Sequence, residues 1–234
     1  MGYYSENYNQ TVKEVLGELD KALGAVNPET AEKFVKAVLE ADQVYFVGVG
    51  RVLLSLQAIC KRLAHLGIKT HYVGEITEPA ITDKDLLVVG SGSGGSLFPL
   101  GIAKKAHGIG AKIVHIGSNP NSEMKDLCEF MVRIPVRTKN YLEDEIDSCQ
   151  IMTSLFEQCV LLLGDILAKM IVESRNIDMK ALWQCHANLE ITDGLREVQN
   201  EKRELNEICR QPAAGSLCTT YDLYRRQKPR AFCL

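Results

Sequence analysis

Apolar residues recur at helical spacing near the start of the chain, where Val12, Val15, Leu16, Leu19 and Leu23 fall on one face of a predicted helix over 8–23. Asn27-Pro28-Glu29-Thr30 then supplies an N-cap and a first-turn proline for a second helix running through Phe34, Val35, Val38 and Leu39. After these helices the period changes. Short apolar runs predict strands over 44–47, 70–73, 86–89, 112–116 and 130–134. Amphipathic stretches between them predict helices over 53–66 and 97–107 and a short helix over 122–128. Strands alternating with helices specify an α/β fold, a three-layer αβα sandwich around a five-stranded, mostly parallel sheet covered on both faces.

The polar segment 136–147 precedes a long apolar-periodic helix predicted over 148–173. Such a loop either covers a site or is a solvated connector. A further helix is expected over 178–187, and from Ile191 the chain changes character. The stretch 195–208 could form a polar helix, while 212–234 gathers Gly, Pro, Thr, Tyr and Arg with little periodicity. The predicted organisation is one domain over 8–190, including the N-terminal helices. A polar extension over 191–234 is expected to pack on a neighbour or stay partly mobile.

Two predicted strands run directly into glycine-rich turns: Val44-Tyr45-Phe46-Val47 into Gly48-Val49-Gly50-Arg51, and Leu86-Leu87-Val88-Val89 into Gly90-Ser91-Gly92-Ser93-Gly94-Gly95-Ser96. In an open parallel sheet, ligands bind beyond the carboxyl ends of the strands, and glycines let backbone N–H groups close on an anion at the following helix start. Ser91, Ser93 and Ser96 add hydroxyl donors, so the second turn can hold a phosphate without lysine. The ligand expected is a phosphorylated small molecule. The first turn lacks the third glycine and the acidic partner of a dinucleotide fingerprint, and neither turn ends in the Gly-Lys-Ser/Thr of an ATP-binding loop. Arg51 could reach a phosphate or sugar oxygen through its planar fork, or form an intersubunit salt bridge.

Composition narrows the class without naming the chemistry. The 234 residues are 46% hydrophobic and 24% charged with a net charge of −3, which suits an ordinary soluble enzyme. No concentrated basic block points to nucleic acid, no apolar run approaches a membrane span, and no secretory peptide is visible. The 8 cysteines are scattered, without zinc-knuckle or dithiol spacing, and read as reduced thiols of a cytoplasmic protein. His71, His107 and His115 are expected to be structural, since no pairing with carboxylates suggests a metal. Glu157 follows Leu155 and Phe156 near the start of an otherwise apolar helix, where burial of a carboxylate would be unusual unless it is functional or paired.

The order of segments resembles the 6-phospho-3-hexuloisomerase family of the sugar isomerase (SIS) superfamily. The similarity lies in Gly48-Val49-Gly50-Arg51, Arg62-Leu63-Ala64-His65-Leu66-Gly67, 73–81, the Ser-Gly-Ser-Gly turn, Ile134-Pro135 with Thr138-Lys139, Leu155-Phe156-Glu157-Gln158 and the ending Cys185-His186-Ala187-Asn188-Leu189-Glu190. The resemblance implies interconversion of D-arabino-hex-3-ulose 6-phosphate and D-fructose 6-phosphate in the ribulose monophosphate pathway, without metal or organic cofactor. It also implies a homotetramer with active sites built from more than one subunit. Glu157 matches the family's base, His65 a histidine that can enter a neighbouring site, and His186 a further histidine near substrate. Gly50, Arg51, Thr77, Ser91, Gly92, Ser93, Gly94 and Ser96 are the expected substrate or phosphate contacts. Val52 and Gly95 depart from the family's serine and glutamate. A non-catalytic sugar-phosphate sensor, or an isomerase for another sugar phosphate, therefore remains an alternative.

Overall fold

A computed structural model describes residues 2–179 and 182, all within the compact unit Met1–His186. The expected extension 191–234, most of the helix expected over 178–187, and His186 lie outside the described residues. Two helices open the chain, α1 (Tyr3–Gly24) and α2 (Pro28–Glu40), the second capped by Asn27 Oδ1 accepting from Glu29 N at 2.8 Å. Then follow β1 (Val44–Val47), α3 (Gly50–His65), β2 (Thr70–Tyr72), β3 (Leu86–Gly90), α4 (Leu97–Ile109), β4 (Lys112–Gly117), a 3-10 turn (Glu123–Asp126), β5 (Phe130–Arg133) and α5 (Ser154–Ser174).

The strands form one parallel sheet in the order β2-β1-β3-β4-β5, with Val44 to Val47 of β1 paired in register to Leu86 to Val89 of β3. Strand residues alternate between two apolar layers. Val44, Phe46, Leu86, Val88, Val114, Ile116 and Val132 pack with Phe34, Leu56, Ile59, Leu63, Phe156 and Leu163 from α2, α3 and α5. Tyr45, Val47, Leu87, Val89 and Ile113 pack with Leu100, Ala103 and Ala106 of α4. The result is the expected three-layer sandwich. Burial on both faces explains why the central strands are continuous apolar runs.

Several boundaries differ from the sequence expectation. α1 starts at Tyr3 rather than 8, and α3 starts at Gly50 rather than 53, so Arg51 lies in its first turn. α5 begins at Ser154, not 148. The reason is Glu18 of α1, whose carboxylate accepts from Ser148 Oγ (2.7 Å), Cys149 N (2.6 Å) and Gln150 Nε2 (2.9 Å), holding that stretch out of the helix. Partial burial works against the Glu18 charge, but the Cys149 N–H and the Ser148 and Gln150 side chains bring its pKa down to about 2. The segment 136–147 is not a solvated connector, because Val136, Thr138 and Glu145 are buried in it. Cys60, Cys128, Cys149 and Cys159 are free thiols.

Candidate active site

The chain leaves β1 through α3, which packs on one face of the sheet, and leaves β3 through α4, on the other. With the order 2-1-3-4-5, this makes the gap between the ends of β1 and β3 the topological switch point, where an open α/β sheet forms its ligand crevice. The two glycine-rich turns flank that gap. A Cβ placed on Gly90 would lie 3.0 Å from Val52 Cγ1, which sets the first turn of α3 directly beside the end of β3.

The serine turn is tied down from several directions. Ser91 N donates to Ile116 O at 3.0 Å, and Gly94 N donates to Ser91 O at 3.1 Å and to Ser91 Oγ at 3.2 Å. Ser91 Oγ donates to Ser96 Oγ at 3.3 Å, and Gly95 N donates to Ser93 Oγ at 3.4 Å. Ser91 and Ser93 are buried, Ser96 is the N-cap of α4, and Gly95 is exposed. Gly94 takes a left-handed φ of +67°, and a Cβ there would lie 2.0 Å from Ser122 Oγ, so no other residue fits this position without displacing its neighbour.

Beneath the turn, buried His115 faces the Ser91 carbonyl with Nε2 at 2.8 Å. Only the Nε2–H tautomer, or the imidazolium, donates there. Burial pushes the His115 pKa down against the opposing pull of this hydrogen bond, which favours the neutral ring. The imidazole fills space that a side chain at residue 117 would need: a Cβ on Gly117 would lie 2.4 Å from His115 Nε2 and 2.6 Å from Ser91 O.

Across the gap, Arg51 Nε donates to Glu157 Oε2 in a close ion pair. Thr153 Oγ1 donates to the other oxygen, Glu157 Oε1, at 2.8 Å, and Ser55 Oγ donates to the Glu157 carbonyl at 2.8 Å. Glu157 is 8% exposed, whereas the Arg51 side chain is 64% exposed, so the guanidinium keeps faces open to a ligand. The pair adjoins the serine turn, since a Cβ on Gly92 would lie 3.5 Å from the ring of Phe156, the residue before Glu157. An acceptor carboxylate, a cation and a set of hydroxyl and N–H donors thus surround one crevice. Such a set can bind an anion and shuttle a proton.

The other expected site residues do not all meet at this crevice. His65 ends α3, roughly 21 Å along the helix from Arg51, so one chain does not bring it to Glu157. Thr77 is exposed in the turn after β2, and Gly50 takes a φ of +57° at the start of α3. His71, expected to be structural, meets Glu75 Oε1 at 2.6 Å and Gln43 Oε1 at 3.2 Å, the first a pairing with its i+4 neighbour. Among the described residues, no group of three or more His, Cys, Asp or Glu could hold a metal ion, and no helix is long and apolar enough to cross a membrane.

Sequence reasoning missed Thr153 and Glu145. Thr153 stands four residues before Glu157, a readable spacing, but a helix expected from 148 hid its position at the helix start. Glu145 was lost among Glu143, Asp144 and Asp147, and composition cannot tell one buried acid from three solvated ones.

No protein-family model matches the chain. The chain is 31% identical over 179 residues to the 3-hexulose-6-phosphate isomerase of Bacillus subtilis, covering 76% of this chain and 97% of that protein. It is 32% identical over 176 residues to the Mycobacterium gastri protein of the same name, covering 75% and 88%. Among solved structures, a Methanococcus jannaschii protein whose structure was taken to infer a 3-hexulose-6-phosphate isomerase function superposes with a TM-score of 0.66 at 26% identity, covering 77% of this chain and 99% of that one. Identity at this level along nearly the whole of these relatives means that the chain belongs to the 3-hexulose-6-phosphate isomerase family and is a sugar-phosphate isomerase of the SIS fold.

Proposed function

We propose that the protein interconverts D-arabino-hex-3-ulose 6-phosphate and D-fructose 6-phosphate without metal or organic cofactor, as a cytoplasmic enzyme of the ribulose monophosphate pathway. The Ser91–Ser96 turn, with the start of α4, holds the phosphate. Glu157 takes the proton from C2 of the 3-ketose, and the electron pair of that C–H bond forms the C2–C3 double bond of an enediol(ate). Transfer of the O2 proton to O3, and return of the proton from Glu157 to C3, leaves the carbonyl at C2 and a hydroxyl at C3. Arg51 stabilises the oxygen on which negative charge develops. Thr153 orients the carboxylate.

The observation that carries this reading is the Arg51–Glu157 pair at the switch point, beside the serine turn. The position of His65 at the far end of α3 supports a role in a neighbouring subunit's site, as proton shuttle or ring-opening acid. Val49, Leu54, Ile76, Leu97, Ile151 and Met152 are exposed apolar residues at the carboxyl edge of the sheet, and they support a homotetramer that covers this edge.

The test is proton NMR of the protein with fructose 6-phosphate in D₂O. Deuterium should enter at C3 of the recovered fructose 6-phosphate and at C2 of the 3-ketose that appears. Glu157→Gln should abolish exchange while sugar-phosphate binding stays within about tenfold. Unchanged turnover in that variant rules out Glu157 as the base.

A further inference from the structure

Glu145 is 9% exposed, and the isomerisation scheme above gives it no role. Its carboxylate accepts four hydrogen bonds: Ser118 Oγ at 2.8 Å and Thr138 Oγ1 at 3.1 Å on Oε1, Leu142 N at 2.9 Å and Thr138 N at 3.3 Å on Oε2. Among the described residues no cation pairs with it; the Arg133 guanidinium bridges to Asp144 instead, at 2.7 Å. A buried carboxylate without a counter-ion is tolerated only where such donors replace its lost hydration. These donors come from the end of β4 and from the 136–147 segment, so the carboxylate fastens the two together.

Both stretches reach the serine turn. Ser118 N and Asn119 N donate to Gly92 O at 2.9 and 3.0 Å, and Asn119 Nδ2 donates to Ser93 O at 3.2 Å. Within a trans peptide unit the C=O and N–H point in opposite directions in one plane, so tying back the Gly92 carbonyl aims the Ser93 N–H the other way. On the opposite flank the Thr138 methyl lies against Gly92, 2.8 Å from where a Cβ would stand. Arg133 Nε donates to Ser118 O at 2.8 Å, which fixes Ser118 from a third side.

We propose that Glu145 is a positioning residue for the phosphate cradle, acting through Ser118 and Thr138 on the Ser91–Ser96 turn. This rests on the reading of that turn as the phosphate site. Glu145 makes no contact with substrate in this scheme; it sets the orientation of the peptide groups that do.

The experiment compares the full-length wild type, Glu145→Gln and Ser118→Ala by steady-state kinetics with fructose 6-phosphate and by competition with orthophosphate. Both variants should raise the KM and the phosphate Ki together, by about tenfold for Glu145→Gln and about threefold for Ser118→Ala, with kcat within about twofold. A residue that merely supported stability would move neither constant once the protein is folded. KM and Ki within about twofold of wild type in Ser118→Ala overturn the inference, as does a fall in kcat at unchanged KM. If Glu145→Gln fails to fold by circular dichroism, Ser118→Ala decides alone, because it keeps every backbone hydrogen bond of the turn. Wild-type enzyme that neither binds orthophosphate nor prefers fructose 6-phosphate over fructose overturns the phosphate reading itself, a result distinct from the others.

Discussion

Gly164 lies where α5 crosses α3, and replacing it with alanine tests whether that close contact governs stability. A Cβ at residue 164 would stand 2.2 Å from Ile59 Cγ1, 2.7 Å from Cδ1 and 3.2 Å from Cβ. Ordinary carbon contacts fall at about 3.5–4.0 Å, so the new methyl overlaps Ile59 by more than 1 Å, roughly. Ile59 is buried, and a β-branched side chain in a helix has one strongly preferred rotamer, so relief requires the helices to move apart. Overpacking of this kind costs about 1–3 kcal/mol, and the higher helix propensity of alanine returns up to about 1 kcal/mol. Contacts of 2.2 and 2.7 Å put the cost at the upper end of the overpacking range, about 2–3 kcal/mol, so the net expectation is a loss of about 1–3 kcal/mol. Urea unfolding at fixed protein concentration should show a lower midpoint at unchanged slope. Ile59→Ala alone should cost about 2–4 kcal/mol, and the double variant should cost less than the sum by at least about 1 kcal/mol, because the methyl introduced at position 164 fills part of the cavity. A neutral or stabilised Gly164→Ala, or additivity within about 0.5 kcal/mol, refutes the reasoning.

Two further predictions concern pH. Glu18 has its pKa lowered from 4.5 to about 2, so its contribution is complete above the unfolded value and is lost as pH falls through the folded one. Carbon NMR should find its carboxyl still ionised near about pH 3.5, and Glu18→Gln should cost about 1 kcal/mol near neutral pH after allowance for solvent screening; an ordinary titration midpoint contradicts this. His115 has its pKa lowered, so the unfolded chain takes up its proton first and stability declines as pH drops below about 6.5. Nitrogen NMR should show a neutral Nε2–H imidazole there, and His115→Gln should flatten the acid side of the stability curve; a midpoint at or above about 6.5 overturns the assignment.

The central strands were legible because a parallel sheet buried on both faces leaves Val44–Val47 and Leu86–Gly90 no polar positions. The crevice was legible for a related reason: glycines directly after two such strands have few other uses. What escaped was set by contacts between distant residues. The start of α5 depends on Glu18, more than a hundred positions earlier, and the helical periodicity of 148–173 carries no trace of it. Thr138 and Glu145 sit in a segment whose polarity suits equally a solvated loop and a buried hydrogen-bonded one. Only the fold distinguishes them, by placing the end of β4 within reach of Glu145. His65 marks a limit of another kind, since its proposed partner site belongs to a second copy of the chain.

The mutual occupancy of His115 and Gly117 constrains the order in which this part of the protein can change. An imidazole at 115 and any side chain at 117 compete for the same volume, with 2.4 Å between the ring nitrogen and a notional Cβ. A lineage arriving at this pair from one with a side chain at 117 must lose that side chain before it gains the histidine, and a lineage leaving must shed the histidine first. The two positions therefore form an ordered gate in sequence space, passable in either direction only through the state in which neither side chain is present: each single step is permitted or forbidden by the state of the other. Grafting only the histidine into a relative that carries a side chain at the second position should fail where grafting both succeeds.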